Sequence, residues 1–266
     1  MWEGCSFRKD GHSMEFIFGT WRVSVERIPP SATELITMYN HAARYWQWGL
    51  QHLGYPHAYR TLFARLQADG WLPHRPRGIR VLDAGIGTAA FSIALASTWS
   101  APLQLDGVDV APAMLEEAHC VLEHQGIAAQ LHQVNMCALP FGKEIFDLVI
   151  SAHALEHLTD PEIGLRELVR VLRPGAPLVL VVTRPGLMDR LMRWKWRYRT
   201  IRMAQMVSWL EEAGVVQVRR YPLALGASLP HWMSVACIGV NEAIWNRGRA
   251  KHKVCFQSNR YTHYSL

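Results

Sequence analysis

The sequence predicts an α/β protein built around a largely parallel sheet, and three observations carry that prediction. After the breaker cluster PHRPRG, short apolar runs alternate with helical segments, which is the pattern of βαβ units. A glycine-rich turn, Gly85-Ile86-Gly87, directly follows the first of these runs and opens a helix of small residues. An acid, Asp109, ends the second run, 22 residues beyond Gly87.

Composition bounds the rest. A chain of 266 residues suffices for one full hydrophobic core with a small accessory element. Half of it is hydrophobic and 19% is charged, which excludes disordered and collagen-like classes. No apolar run approaches the roughly 18 residues of a membrane-spanning helix, and MWEGCSFRKDGH lacks the apolar core of a secretory signal, so a cytoplasmic location is expected. Five scattered cysteines without a CxxC pair suggest reduced thiols and no cysteine zinc site. Of 28 basic and 22 acidic residues, seven basic and one acidic fall between Arg184 and Arg202, leaving 21 against 21 elsewhere. Charge therefore argues against a general nucleic-acid-binding surface while marking one local basic patch.

Taken in order, residues 1–30 read as an N-terminal extension containing the alternating, β-like FIFGTWRVSVERIPP. Residues 31–75 form a helical cap: Ser31 is the N-cap and Glu34 completes a capping box for a helix ending at Gly54, and a second helix runs near His57 to Ala68. The core spans 76–183, with strands at IRVLDAG, LQLDGVDV, AQLHQVN, FDLVISA and PLVLVVT, and helices at FSIALAST, APAMLEEAHCVLEHQ and EIGLRELVRVL. RVLRPGAP turns the last helix into its strand. A basic, aromatic insertion occupies 184–205. The C-terminal part of the core, 206–240, carries the helix MAQMVSWLEEAG and two strands, VVQVRRYPL and WMSVACIGV, expected as a hairpin on the sheet's edge. Residues 241–266 read as a loosely ordered tail.

The glycine turn fits the dinucleotide fingerprint GxGxxG/A, with Ala90 third and Asp109 as the ribose acid. Asp83, two residues before Gly85, argues against a pyrophosphate, which its carboxylate would repel. A ligand with an ammonium and a sulfonium and no phosphate suits it, which points to S-adenosylmethionine. In QVNMCALPF, Asn135 and Met136 then stand where an adenine edge and face are read.

With these pieces in order, the region from Arg80 to Val240 resembles the class I S-adenosylmethionine-dependent methyltransferases, in particular their small-molecule group. The matching motifs are VLDAGIGTAAFS, GVDVAPAML, NMCALPF, FDLVISAHALEHLTD and RVLRPGAPLVLV. The resemblance implies a Rossmann-like, doubly wound, mostly parallel seven-stranded sheet with a helical cap, S-adenosyl-L-methionine as cofactor and S-adenosyl-L-homocysteine as product. It implies that Asp83, Gly85 and Gly87 line the methionine side, that Asp109 holds both ribose hydroxyls, and that Val110 and Met114 touch adenine; Ser151 is added to the cofactor set. Asn135 departs from the acid usual in the family, keeping an acceptor oxygen without the charge.

His153, Glu156 and His157 spell HxxEH, a zinc motif of inverted metallopeptidases when both histidines share a helical face. Here the segment follows a strand directly, so it belongs to a strand-to-helix loop at the ligand-binding edge of the sheet, and no metal is expected. His153 or His157 is the candidate base for methyl transfer, a reaction that demands alignment above all. Two other readings stand beside this one, a cofactor-binding protein without turnover and a zinc metallopeptidase.

His41, Tyr45, Trp48 and His52 share one face of the first cap helix, a face that either packs on the sheet or lids the site. Tyr39, Tyr45, Trp48, His52 and Trp194 are the candidate acceptor residues, suiting an apolar, aromatic or lipid-like small molecule. The stretch 184–202 interleaves basic and aromatic residues and is a candidate for peripheral contact with a membrane surface.

Overall fold

The computed structural model describes residues 13–18, 21–26, 32–73, 76–186, 189, 196, 198–223 and 233–241. β1 (Ser13–Phe18) and β2 (Trp21–Glu26) pair antiparallel as a separate two-stranded sheet, so the alternating stretch near the N-terminus is a hairpin. Two helices follow, α1 (Ala32–His52) and α2 (Tyr55–Ala68), joined through Gly54 at φ 82°. The first ends where the glycine predicts, whereas the second begins two residues earlier than expected because Pro56 is tolerated in a first turn. Ser31, the expected cap, lies outside the described residues.

The main domain then alternates β3 (Ile79–Ala84), α3 (Ala90–Thr98), β4 (Leu103–Asp109), α4 (Pro112–His124), β5 (Ala129–Gln133), β6 (Leu148–Ala152), α5 (Pro161–Val171) and β7 (Pro177–Thr183). α6 (Met203–Glu212), β8 (Val215–Pro222) and β9 (Ser234–Asn241) complete it. Seven strands form one sheet in the order β5-β4-β3-β6-β7-β9-β8, parallel from β5 through β7, with β9 antiparallel to both of its neighbours. The fold is thus the expected doubly wound, mostly parallel one.

The expected hairpin is present at the sheet's edge: β8 and β9 pair antiparallel, with β9 against β7 and β8 outermost. Their sequences explain the placement. β9, SVACIGVN, is buried almost throughout, as a strand covered on both faces must be. β8 alternates, and its exposed Arg219 and Arg220 suit an edge that must resist further pairing.

Successive residues of a strand face opposite sides, so the continuous apolar runs fill two cores. Val81, Leu148, Ile150 and Val181 meet Phe63 and Leu66 of α2 with Phe91 and Leu95 of α3. Leu82, Val149 and Leu180 meet Leu165 and Leu168 of α5 with Met206 and Leu210 of α6 on the other face. Helix α2 is therefore part of the sheet's own core, and α1 is the element left to stand over the site. The chain leaves β3 towards β4 and later returns to β6 on its other side, so the sheet's crevice opens at the carboxyl ends of β3 and β6. No helix among the described residues is long and apolar enough to cross a membrane.

Candidate active site

The glycine loop is shaped by two different demands. Gly85 and Gly87 take φ of 73° and 52°, in the left-handed region. At Gly85 a Cβ would also lie 2.3 Å from the Ala154 Cβ, because the loop after β6 packs against it. At Gly87 that space is open, which is the close approach a ligand uses. The backbone N–H groups of Gly85 and Ile86 both donate to the Val108 carbonyl, at 2.8 and 3.0 Å. Asp109 clamps the turn from the next strand, one carboxylate oxygen accepting from Gly87 N and the other from Ala111 N, each at 3.0 Å.

Asp83 is the most telling electrostatic feature. Its side chain is 1% exposed and accepts from the Ser92 hydroxyl at 2.6 Å. Burial, set against that bond and reinforced by the Asp109 charge, pushes its pKa up to about 7. A carboxylate destabilised in this way gains from a cation brought beside it. It faces a cavity of about 320 Å³ whose lining also includes Gly85, Gly87, Asp109, Val110, Met114, Asn135 and Met136. Eight of the nine residues expected around the cofactor are thus gathered in one place. Asn135 has already committed its oxygen to Cys137 N at 2.9 Å, in a local turn.

Ser151 is the ninth, and the structure corrects it. Its hydroxyl points across the sheet, donates to the Ala84 carbonyl at 2.6 Å and lies outside the cavity lining. Ser151→Ala is expected to leave ligand affinity in this cavity unchanged within twofold while lowering stability by about 1 kcal/mol, checked by calorimetry and thermal melts.

Helix α1 covers the cavity and is tied at two points. Gln47 accepts from the buried Thr88 hydroxyl at 2.7 Å, and Asn40 accepts from Ala113 N at 3.2 Å, at the start of α4. Beyond α1 lies a second cavity of about 600 Å³, lined by His41, Tyr45, Trp46, Trp48, Tyr55, Trp196 and Tyr198 among others. Trp46, Leu50, His153 and His157 line both cavities. Tyr45 and Trp48 are 75% and 61% exposed, forming its rim. Of the other expected acceptor residues, Tyr39 lines the first cavity instead, where its ring stacks on Trp196 at 5.9 Å. His52 is corrected: it turns back onto its own helix, bonding the Trp48 carbonyl at 2.8 Å, and lines neither cavity. Trp194 lies outside the described residues, as does most of the basic stretch from 187 to 197.

HALEH follows the end of β6 at Ala152 and forms a bend and the 3₁₀ turn Leu155–His157, so its histidines do not share the α-helical face that the zinc motif requires. Among the described residues no group of three or more His, Cys, Asp and Glu side chains is placed to hold a metal ion. His157 is half-buried, packed against Tyr39, whose hydroxyl lies 2.9 Å from Nε2, and against the Tyr198 ring. Burial, outweighing the attraction of Glu156, pushes its pKa down to about 4. His153 instead sits between the two cavities at φ 55°, its ring beside Glu156, Thr183 and Ser234. Glu156, singled out in the sequence only as part of HxxEH, is the residue whose contact with the His153 ring sequence reasoning misses. A carboxylate in a mostly apolar ALEHL segment was the available signal.

A parallel sheet with a glycine turn, a clamping acid at the second strand and a buried carboxylate facing the pocket defines a nucleoside-binding α/β domain suited to a cationic ligand. Residues 81–175 match the family model of a methyltransferase domain. Demethylmenaquinone methyltransferase of Lactiplantibacillus plantarum is 38% identical over 112 residues, 41% of this chain and 47% of that protein. Its counterpart of the same name from Deinococcus radiodurans is 31% identical over 147 residues, 54% and 60% of the two chains. The chain spans about half the length of the curated relatives it matches. Among solved structures, the [4+2]-cyclase SpnF is similar with a TM-score of 0.60 at 18% identity, covering 80% of this chain and 97% of that one, a likeness of fold alone.

Proposed function

We propose that the protein transfers the methyl group of S-adenosylmethionine to a small, apolar, aromatic or lipid-like acceptor. The observation that carries this reading is the junction of the two cavities, one cradled by the glycine loop beside Asp83 and Asp109, the other walled by aromatic rings, with His153 common to both. The cofactor supplies a methyl carbon on a positively charged sulfur, already activated for in-line displacement. The chain's own residues bind and align. Asp83 takes the ammonium end, Asp109 accepts from the ribose while holding the Gly87 turn, and Met114 and Met136 bury the adenine faces. Helix α1, with Trp196 and Tyr198, supplies the walls that exclude water from the acceptor.

Titration calorimetry with S-adenosylhomocysteine tests the first half of this proposal, and methyl transfer from labelled cofactor to a panel of aromatic and lipid-like acceptors tests the second. Binding of NAD in place of S-adenosylhomocysteine would overturn the cofactor assignment; binding with no transfer to any acceptor would leave a binding protein without turnover.

The elevated Asp83 pKa supplies a pH signature. The folded, ligand-free protein holds this proton more tightly than the unfolded chain, so that contribution to stability is complete below the carboxyl's ordinary 3.8 and is lost as pH rises through about 7. Binding an ammonium requires the ionised form, so affinity for S-adenosylhomocysteine is expected to rise about tenfold from pH 6 to pH 8. Asp83→Asn should flatten that rise; calorimetry at both pH values on both proteins decides it.

A further inference from the structure

We propose that Glu156 is a positioning residue that makes His153 the general base for acceptors carrying a hydroxyl on an aromatic or enolic carbon. The proposal rests on the methyl-transfer reading and names the acceptor chemistry within it.

Three donors converge on the Glu156 carboxylate: the Thr183 backbone N–H at 3.2 Å, the Thr183 hydroxyl, and His153 Nδ1 at 3.4 Å. The side chain is 2% exposed, and its own backbone carbonyl is held by Arg199 N at 2.8 Å. Burial alone would push its pKa up, but the hydrogen bonds from His153 and Thr183 hold it below the usual value. Glu156 is therefore an anion at neutral pH and can only accept hydrogen bonds.

That fixes the direction of a whole row of groups. With Glu156 accepting, neutral His153 carries its proton on Nδ1 and leaves Nε2 as a bare acceptor. Nε2 lies 3.4 Å from the Ser234 hydroxyl, which must then donate to it, and the Tyr55 hydroxyl, 2.8 Å from Ser234 Oγ, donates in turn to Ser234. Thr183 and Ser234 are partners in the β7–β9 register, so the ring is framed by the sheet itself. All three polar contacts to the ring, from Glu156 and Thr183 at Nδ1 and Ser234 at Nε2, are 3.3–3.4 Å long, so it is aimed without being tightly held, and an acceptor hydroxyl is able to displace Ser234 from Nε2. The backbone shows the same aim. His153 is a non-glycine residue at φ 55° whose N–H is fixed to the Val181 carbonyl at 2.8 Å, an uncommon conformation kept at the junction of two cavities. His157, the other candidate, is held neutral by burial and is too weak a base for the task.

The step balances. The acceptor oxygen gives its proton to Nε2 and a lone pair to the methyl carbon. The carbon–sulfur bond breaks with its electrons kept on sulfur, so one positive charge leaves sulfur and one appears on the imidazole beside Glu156. An amine acceptor already offers a free lone pair and needs no such base.

The test uses the full chain labelled with ¹⁵N-histidine, its His153 signals assigned by difference from His153→Asn. The ring is expected as the Nδ1–H tautomer. In Glu156→Gln, the two Thr183 donors claim the amide oxygen, so the amide NH₂ faces Nδ1 and the proton moves to Nε2. With 1-naphthol as acceptor, kcat is expected to fall roughly 100- to 10,000-fold in Glu156→Gln, with KM for the cofactor unchanged. With 1-naphthylamine it should fall less than about tenfold. The acid limb of the naphthol kcat–pH profile should vanish in the variant. The titratable groups facing the ring are Glu156 and His157 on its loop and Tyr55 on α2, while Tyr39 on α1 and Tyr198 face His157. An Nε2–H tautomer in the unmodified protein, or naphthol and naphthylamine rates falling alike, would overturn the proposal. The tautomer is read without any acceptor, so it decides the positioning claim even where neither naphthalene turns over. S-adenosylhomocysteine affinity on the same samples reports separately on the methyl-transfer reading.

Discussion

Asp109→Ala is expected to weaken S-adenosylhomocysteine binding by about 3 kcal/mol, roughly 150-fold, in titration calorimetry at pH 7.5. The side chain has two jobs, and the variant loses both. Its oxygens hold Gly87 N and Ala111 N, which pins the glycine turn to the first residues before α4. Its remaining lone pairs are those proposed for the ribose. Hydrogen bonds to a charged acceptor contribute about 1.5–3 kcal/mol each, so losing ribose contacts together with the clamp exceeds what either would cost alone. Asp109→Asn separates the two. Its amide oxygen can keep one backbone donor while the NH₂ repels the other, so an intermediate loss is expected. Unchanged affinity in the alanine variant would overturn the ribose assignment.

Gly85→Ala is expected to lower folding stability by about 4 kcal/mol and to abolish measurable cofactor binding. The left-handed φ of 73° costs about 1–2 kcal/mol for a residue with a Cβ. The new methyl must also displace Ala154, whose Cβ stands 2.3 Å away, and overpacking of this kind costs about 1–3 kcal/mol more. Ala154 belongs to the loop that carries His153 and Glu156, so the shift propagates into the acceptor side. A urea titration reads the stability, and calorimetry reads the binding. Gly87→Ala meets no atom within 4 Å, so a much smaller loss of stability with a comparable loss of binding would show that the two glycines serve different ends.

What could be read beforehand was whatever depends on neighbours along the chain. The βαβ pattern, the turn at Gly85 and Gly87 and the acid at Asp109 follow from local spacing, and all of them stand where expected. Ser151 and His52 went astray for one reason. Each was placed by its element, but its polar atom is spent on a backbone carbonyl that strand pairing or the helix's own turn brings near. The edge hairpin of β8 and β9 was legible, but which of its strands lies inward depends on what it pairs with, a long-range matter that an apolar run only suggests. The row from Tyr55 to Ser234 to His153 to Glu156 was hidden for the same cause, since Tyr55 and Ser234 are 179 residues apart.

Trp46 and Leu50 on α1, with His153 and His157, form a party wall between the two chambers. A ligand that orders this wall for one chamber also orders it for the other, at a single entropic cost. The two ligands are then thermodynamically linked through a helix that neither must grip fully. By reciprocity, whatever factor S-adenosylhomocysteine adds to acceptor affinity, the acceptor adds equally to its own. Under the proposed methyl transfer, selectivity for the acceptor is then partly written into how firmly the nucleoside is retained.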